Sequence, residues 1–346
     1  MITKTFAIAA VAIIALFATS ALHAQIFNIT GPDAPLVLFD AEDYNATTGH
    51  WPNIGTGGAA NDAYGFDDPV WGGAYDLLSL SGNVGGIGIV GAPDKQDNFF
   101  AGTHAAATFD NWGTVDGAGG EGLLFNDTGL PKATNREMTF FAVLQWGGDG
   151  DRWGGVFGHG KVNVGEAGTN EQDNLALWYS PSFAEPNPHE IQLHTDASGC
   201  CAAAADSGLG WTAGETHVVS MTVQADDAVR FAFREDGGAL QTIGAIASIY
   251  DLDSTDANLG YIGFGPYFFK PRFMDGGIGM LAIVPGAMSD TKRDTIINAL
   301  YERYINGGNE PLIIPEPATV FLVFPAVCSL LLTYDRRRRR TLTFHR

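Results

Sequence analysis

Met138 to Gln145 reads MTFFAVLQ, a run apolar on both faces of a strand. Such a run has to be covered from both sides, so it is a central strand of a layered sheet. Its companions alternate instead. Thr216 to Gln224 puts Val219, Met221 and Val223 on one side. Val229, Phe231 and Phe233 alternate with Arg230, Ala232 and Arg234, the pattern of a strand with one wet face. His189 to Thr195 also alternates, with Ile191 and Leu193 on one side. Leu36 to Phe39, Trp153 to Phe157, Leu175 to Tyr179, Ile243 to Ile246, Tyr261 to Phe264 and Ile278 to Val284 complete the strand candidates. Turn signals such as Asp236-Gly237-Gly238 and Asp275-Gly276-Gly277 separate them. Glycine supplies 45 of 346 residues, which favours turns over helix interiors. Short strands joined by such turns predict an all-β fold, a two-sheet antiparallel β-sandwich.

One helix is expected near the end of this region. Ser289 stands as an N-cap and Asp290 in the first turn, where negative charge is favourable. Ile296, Ile297, Leu300, Tyr301 and Tyr304 form an apolar stripe at helical spacing, and Asn306-Gly307-Gly308 ends it. The stripe is expected to pack on the sandwich edge.

The two ends of the chain read differently. Residues 1–24 have Lys4, an apolar core from Phe6 to Phe17 and small residues leading to Ala24, the pattern of a signal peptide. At the other end, Pro315-Glu316-Pro317 precedes an apolar run of seventeen residues, Ala318 to Tyr334. That is close to the shortest length that crosses a bilayer. Five arginines follow, Arg336, Arg337, Arg338, Arg339 and Arg340, and basic residues beside a span stay on the cytoplasmic side. This order resembles the PEP-CTERM sorting signal of Gram-negative bacteria. The resemblance implies processing by an exosortase, transient anchoring in the inner membrane and release to the cell surface or matrix. An ordinary stop-transfer anchor is the alternative, but it has no need of the Pro-Glu-Pro motif, and Pro325 weakens the run as a permanent helix. The expected division is 1–24 signal peptide, 25–308 sandwich, 309–314 spacer and 315–346 sorting signal, with the basic tail at 336–346.

Without its two ends the chain carries 12 basic and 37 acidic residues, a net charge of −25. That argues against nucleic acid as a partner. Cys328 lies in the span, and Cys200 and Cys201 are adjacent, so no long-range disulfide framework exists. The adjacent pair could form a strained vicinal disulfide, remain as thiols, or pair with another chain.

Two further stretches carry a family resemblance. LVLFDAEDYNATTGHWPNIGTGGAANDAY holds Asp40-Ala41, Trp51 and Asn61-Asp62-Ala63. FMDGGIGMLAIVPGAMSDTKRDTIINALYERYI holds Phe273, Asp275-Gly276, Ile278, the Leu281 to Val284 strand, Ser289-Asp290 and Tyr301 to Tyr304. They resemble the opening strand and the closing strand plus helix of laminin-G/concanavalin-A-like domains. The resemblance implies a jelly-roll sandwich with one short C-terminal helix. The acidic residue usual in the closing strand is replaced by Gly279-Met280, and the usual Trp-x-Asp-x-Ser-Gly of the front by Trp51-Pro52-Asn53-Ile54-Gly55.

Catalytic patterns are mostly missing. A glucanase on this fold needs Glu-x-Asp-x-x-Glu, so that two carboxylates flank the glycosidic bond. The nearest stretch, Glu190 to Thr195, has Gln192 and Thr195 where carboxylates are required. A zincin needs His-Glu-x-x-His on a helix, whereas His189 and His194 lie five apart in a strand pattern and face opposite ways. Calcium is the metal that Asp149-Gly150-Asp151, Asp251-Leu252-Asp253 with Asp256, or Asp94 with Asp97-Asn98 would suit, though each also reads as a solvated turn. Trp71, Trp112 and Trp153 lie in Gly/Asp-rich surroundings and are the candidate sugar-stacking aromatics, with core packing as their alternative. The expectation is a non-catalytic exported protein that binds carbohydrate or exopolysaccharide. The alternatives are an adhesive envelope protein with no small ligand, and a glycoside hydrolase with an unrecognised site.

Overall fold

The structure, a computed structural model, describes residues 26–65, 89–110, 120–131, 137–147, 154–160, 174–179, 190–195, 203–210, 212–226, 228–247, 259–265 and 272–313. The strands in chain order are β1 (Val37–Asp40), β2 (His50–Trp51), β3 (Ala63–Gly65), β4 (Ile89–Gly91), β5 (Asp94–Phe100), β6 (His104–Phe109) and β7 (Gly120–Glu121). They continue as β8 (Leu123–Asn126), β9 (Met138–Trp146), β10 (Gly154–Gly160), β11 (Asn174–Tyr179), β12 (Glu190–Thr195) and β13 (Ala203–Gly210). The last are β14 (Thr216–Val223), β15 (Ala228–Glu235), β16 (Gln241–Ala247), β17 (Leu259–Ile262), β18 (Phe264–Gly265), β19 (Arg272–Phe273) and β20 (Gly276–Pro285), followed by helix α1 (Asp290–Tyr304). All of these lie in the unit Ile26–Glu310. The other unit, Met1–Gln25 with Pro311–Arg346, is described only over 311–313, without helix or strand.

Two eight-stranded sheets carry the fold. One runs β16-β15-β14-β9-β20-β6-β5, with β1 also paired to β20; the other runs β13-β12-β11-β10-β17-β8-β3-β2. Every pairing within them is antiparallel. One apolar core joins the two, drawing Phe39, Phe140, Ala142, Leu144, Val219, Met221, Phe231 and Phe233 from the first sheet and Trp51, Phe125, Phe157 and Leu177 from the second. Phe140 of β9 stacks on Phe157 of β10 with ring centroids 4.7 Å apart, and Phe39 of β1 meets Phe125 of β8 edge-on at 5.6 Å. The predicted two-sheet sandwich is therefore the observed architecture. The run from Met138 is its central strand, with β14 on one side and β20 on the other.

The face opposite the core on the first sheet differs from the sequence reading. Arg230 and Arg234 were expected on a wet face, and the helix was expected on the sandwich edge. Instead α1 lies across the faces of β9, β14 and β15. Ala232, Ser220 and Thr222 are buried on that face. The Arg234 guanidinium sits 3.5 Å from the centroid of the Tyr301 ring and donates to Asn298, while Arg230 pairs with Asp290 at 3.2 Å. Long arginine stems supply apolar cover and keep their charged ends at the helix rim. Ser289 stands at the N-cap but makes no side-chain capping bond. The loop before the helix is held from the sheet: Thr139 Oγ1 donates to Gly286 O and accepts from Met288 N. At the other end Gly308 N returns to Glu302 O at 2.8 Å, with Gly307 at φ +72°, so the expected glycine stop is present.

Gly279, at a position where the resembling domains usually carry an acidic residue, has a structural reason. β20 pairs with β6 through Gly276–Ile278 and with β1 from Met280 onward, and its register with β9 shifts at the same place. A Cβ on Gly279 would lie 2.7 Å from the Phe100 ring and 3.0 Å from that of Tyr304. Glycine lets the helix end and β5 close over a bulge.

Candidate functional site

Most residues singled out from sequence lie outside the described residues. This holds for Trp71, Trp112, Trp153, Cys200, Cys201, Pro315 to Pro317 and Arg336 to Arg340, and for the acidic clusters at 149–151 and 251–256. The third acidic cluster is visible. Asp94, Asp97 and Asn98 are exposed along β5, the outermost strand of its sheet, and a register shift falls between Gln96 and Phe100. Charges and a bulge on an edge strand discourage edge-to-edge pairing. Among the described residues no helix is long and apolar enough to cross a membrane, and the 318–334 run lies outside them.

The opening motif forms a brace. Trp51 is fully buried and its Nε1 donates to Asp40 O at 2.7 Å. Asn53 Oδ1 accepts from Leu38 N and Gly55 N, and its Nδ2 donates to Leu36 O and Gly58 O. Asn61 Nδ2 donates to Asn126 O and Thr128 O across the sheet. These side chains direct their polar atoms to backbone, which holds this segment of short strands and turns over β1.

That brace presents one cluster outward. His50 and Tyr64 face each other across β2 and β3, on the opposite side from buried Trp51 and Ala63. Their rings stack at 4.6 Å with 12° between planes. His50 Nε2 lies 2.8 Å from Asp62 Oδ2, and the Tyr64 hydroxyl donates to the same oxygen at 3.5 Å. Asp62 Oδ1 accepts from Asn53 N at 2.8 Å, so the carboxylate is fixed from below. The His50 side chain is 34% exposed and that of Asp62 only 8%. Gly49, at φ +63°, closes the turn and Gly65 N bonds its carbonyl. The result is a part-exposed pair of stacked flat rings on a buried carboxylate, at the end of a sheet. Sequence reasoning passed over it because strands of two and three residues show no period. The proximity of His50, Asp62 and Tyr64 arises only from the hairpin.

A second polar cluster is internal. Arg303 Nη2 pairs with Asp40 Oδ2 at 3.2 Å and its Nη1 donates to Glu310 O at 2.5 Å. The Tyr304 hydroxyl lies 3.4 Å from Asp40 Oδ1 and from Gly279 O. Glu42 Oε1 accepts from Ala105 N and lies 3.4 Å from His104 Nδ1, and His104 Nε2 is 2.9 Å from Gly308 O. Burial pushes the Asp40 carboxyl up to about 6, with Arg303 opposing the shift. The cluster ties the helix end to β1 and β6; Asp40, Arg303, Tyr304 and His104 are buried and Glu42 is exposed. A third grouping, Glu215, His217 and Glu235, offers the mixed imidazole and carboxylate atoms that bind metals, all within 4.8 Å of one another.

No protein-family model matches the chain, and no curated protein matches it. Solved structures show similarity at low identity. Domain 4 of AbnA, a GH43 extracellular arabinanase from Geobacillus stearothermophilus, in complex with arabinotriose, is 11% identical with a TM-score of 0.45, covering 77% of this chain and 99% of that one. The CBM40 of Ruminococcus gnavus IT-sialidase bound to alpha2,3 sialyllactose is 11% identical with a TM-score of 0.35, covering 48% and 83%. A Trypanosoma rangeli sialidase in complex with sialic acid is 12% identical with a TM-score of 0.43; the likeness covers 79% of this chain but only 34% of that one.

Proposed function

We propose that this chain is an exported, exosortase-processed surface or matrix protein. Its sandwich, a laminin-G/concanavalin-A-like jelly roll, binds carbohydrate without catalysis. The observation that carries the binding reading is the His50–Tyr64 stack over Asp62. Flat rings suit the C–H face of a sugar, and the buried Asp62 carboxylate holds both rings in place. The strongly acidic mature segment fits neutral or cation-bridged polysaccharide better than a polyanion.

Glycan-array screening of the protein recovered from the cell surface, with and without calcium, tests this. Tyr64→Ala and His50→Ala should each weaken the glycan bound by about tenfold, the effect of losing roughly 1.4 kcal/mol of ring contact. Absence of binding to any glycan would favour the adhesive, ligand-free reading. Release of new reducing ends from a bound glycan would favour the hydrolase.

Export makes a separate prediction. The surface form should end near Pro315, and intact-mass measurement decides it. A surface protein still carrying Arg336 to Arg346 would rule out sorting by cleavage.

A further inference from the structure

We propose that Glu215, His217 and Glu235 form a binding site for a first-row divalent cation of the zinc type. The argument begins with register. Glu215 stands immediately before β14 and His217 is its second residue, so a spacing of two sends both side chains to one face. Glu235 is the last residue of β15 and pairs directly with His217. Residues of the same parity on both strands, Val219, Met221, Phe231 and Phe233, belong to the core. All three groups therefore turn toward the interior at the open end of the β14–β15 hairpin.

Depth then sorts them. His217 is fully buried beside the Phe233 ring, 5.0 Å away, while Glu215 and Glu235 are part-exposed. The imidazole thus lies at the base of the set and the two part-exposed carboxylates at its rim. The Nε2 of His217 lies 4.0 Å from Glu235 Oε2, beyond hydrogen-bond length. A zinc ion about 2.1 Å from each ligand holds tetrahedral neighbours about 3.4 Å apart. The observed spread, within 4.8 Å, closes to that by rotation of the two rim glutamates.

Ligand chemistry selects the ion. Calcium and magnesium take oxygen donors, whereas a buried imidazole with carboxylates suits zinc and its neighbours. The ion would clasp the two strands where no turn joins them. This site is independent of the proposed sugar platform, which lies on the other sheet.

The test uses the full exported chain, stripped with a chelator and equilibrated with about 10 μM zinc in millimolar calcium and magnesium. Bound zinc is read by elemental mass spectrometry, and unfolding temperature by circular dichroism. Zinc should raise the unfolding temperature, and His217→Gln and Glu235→Gln should each bind one zinc fewer per chain and lose that rise. Glu235 is part-exposed, so the second variant remains informative if the first fails to fold. Unchanged stoichiometry in Glu235→Gln means that zinc sits elsewhere on the acidic surface and overturns the proposal, as does absence of zinc from the wild type.

Discussion

Phe157→Ala should destabilise the chain by about 3–5 kcal/mol, measured by denaturant unfolding, while Phe157→Leu should cost well under half of that. Phe157 is fully buried in the core between the two sheets. Its ring stacks on Phe140 of the facing sheet at 4.7 Å and on Phe125 of its own at 6.0 Å. Truncation to alanine removes the middle of a three-ring stack and leaves a cavity that the flanking strands cannot fill. β10 is itself pinned on both sides, by β11 and β17. A loss below 1 kcal/mol would mean that the sheets close over the gap and that the core does not depend on this stack.

The parts of the fold that could be read in advance share one property. β9, β14, β15 and β20 are long enough to show either a period of two or continuous apolarity, and each was placed correctly. β5 reads DKQDNFF, β6 HAAATF and β13 AAADSGLG. Their small or polar residues carry no such signal, and all three were missed. β5 and β13 are edge strands, with only one neighbour each to satisfy. The wet face assigned to Arg230 and Arg234 was an error of layering: alternation shows that two faces differ, not what lies over the second. The helix covering them was foreseen as a helix, but its docking on the sheet face depends on topology.

The candidate sites were harder to foresee for a related reason. His50, Asp62 and Tyr64 carry no motif spacing and meet only because a turn at Gly49 pairs two very short strands. Glu215, His217 and Glu235 had a readable signal. Both strands were recognised, and the short link at 224–227 implies a hairpin, so counting back from the turn would have placed His217 opposite Glu235. A helical zinc motif bears only on histidines such as His189 and His194, and a pair facing each other across a hairpin lies outside it.

Arg303→Ala should cost about 3–5 kcal/mol at pH 7 and much less at pH 4. The arginine is 7% exposed, and its loss strands the Asp40 carboxylate, also 7% exposed, between β1 and the helix end. Burial already raises Asp40 from 3.8 to about 6, against the pull of Arg303. For a raised carboxyl, the stability contribution is complete below the unfolded value and is lost as pH climbs through the folded one. The native protein therefore loses stability from this group between about 4 and about 6, a span worth on the order of 3 kcal/mol. Without Arg303 the carboxyl rises further and the loss extends above pH 6, so the variant departs from the parent mainly at neutral pH. Asp40→Asn in the Arg303→Ala background should recover much of the stability at pH 7, because the amide carries no buried charge. The measurement is a double-mutant cycle of unfolding free energies at pH 4 and pH 7. An equal cost at both pH values, with no recovery by Asp40→Asn, would show that Arg303 holds the helix end by packing on Tyr304 and by its bond to Glu310 O, and not by neutralising Asp40.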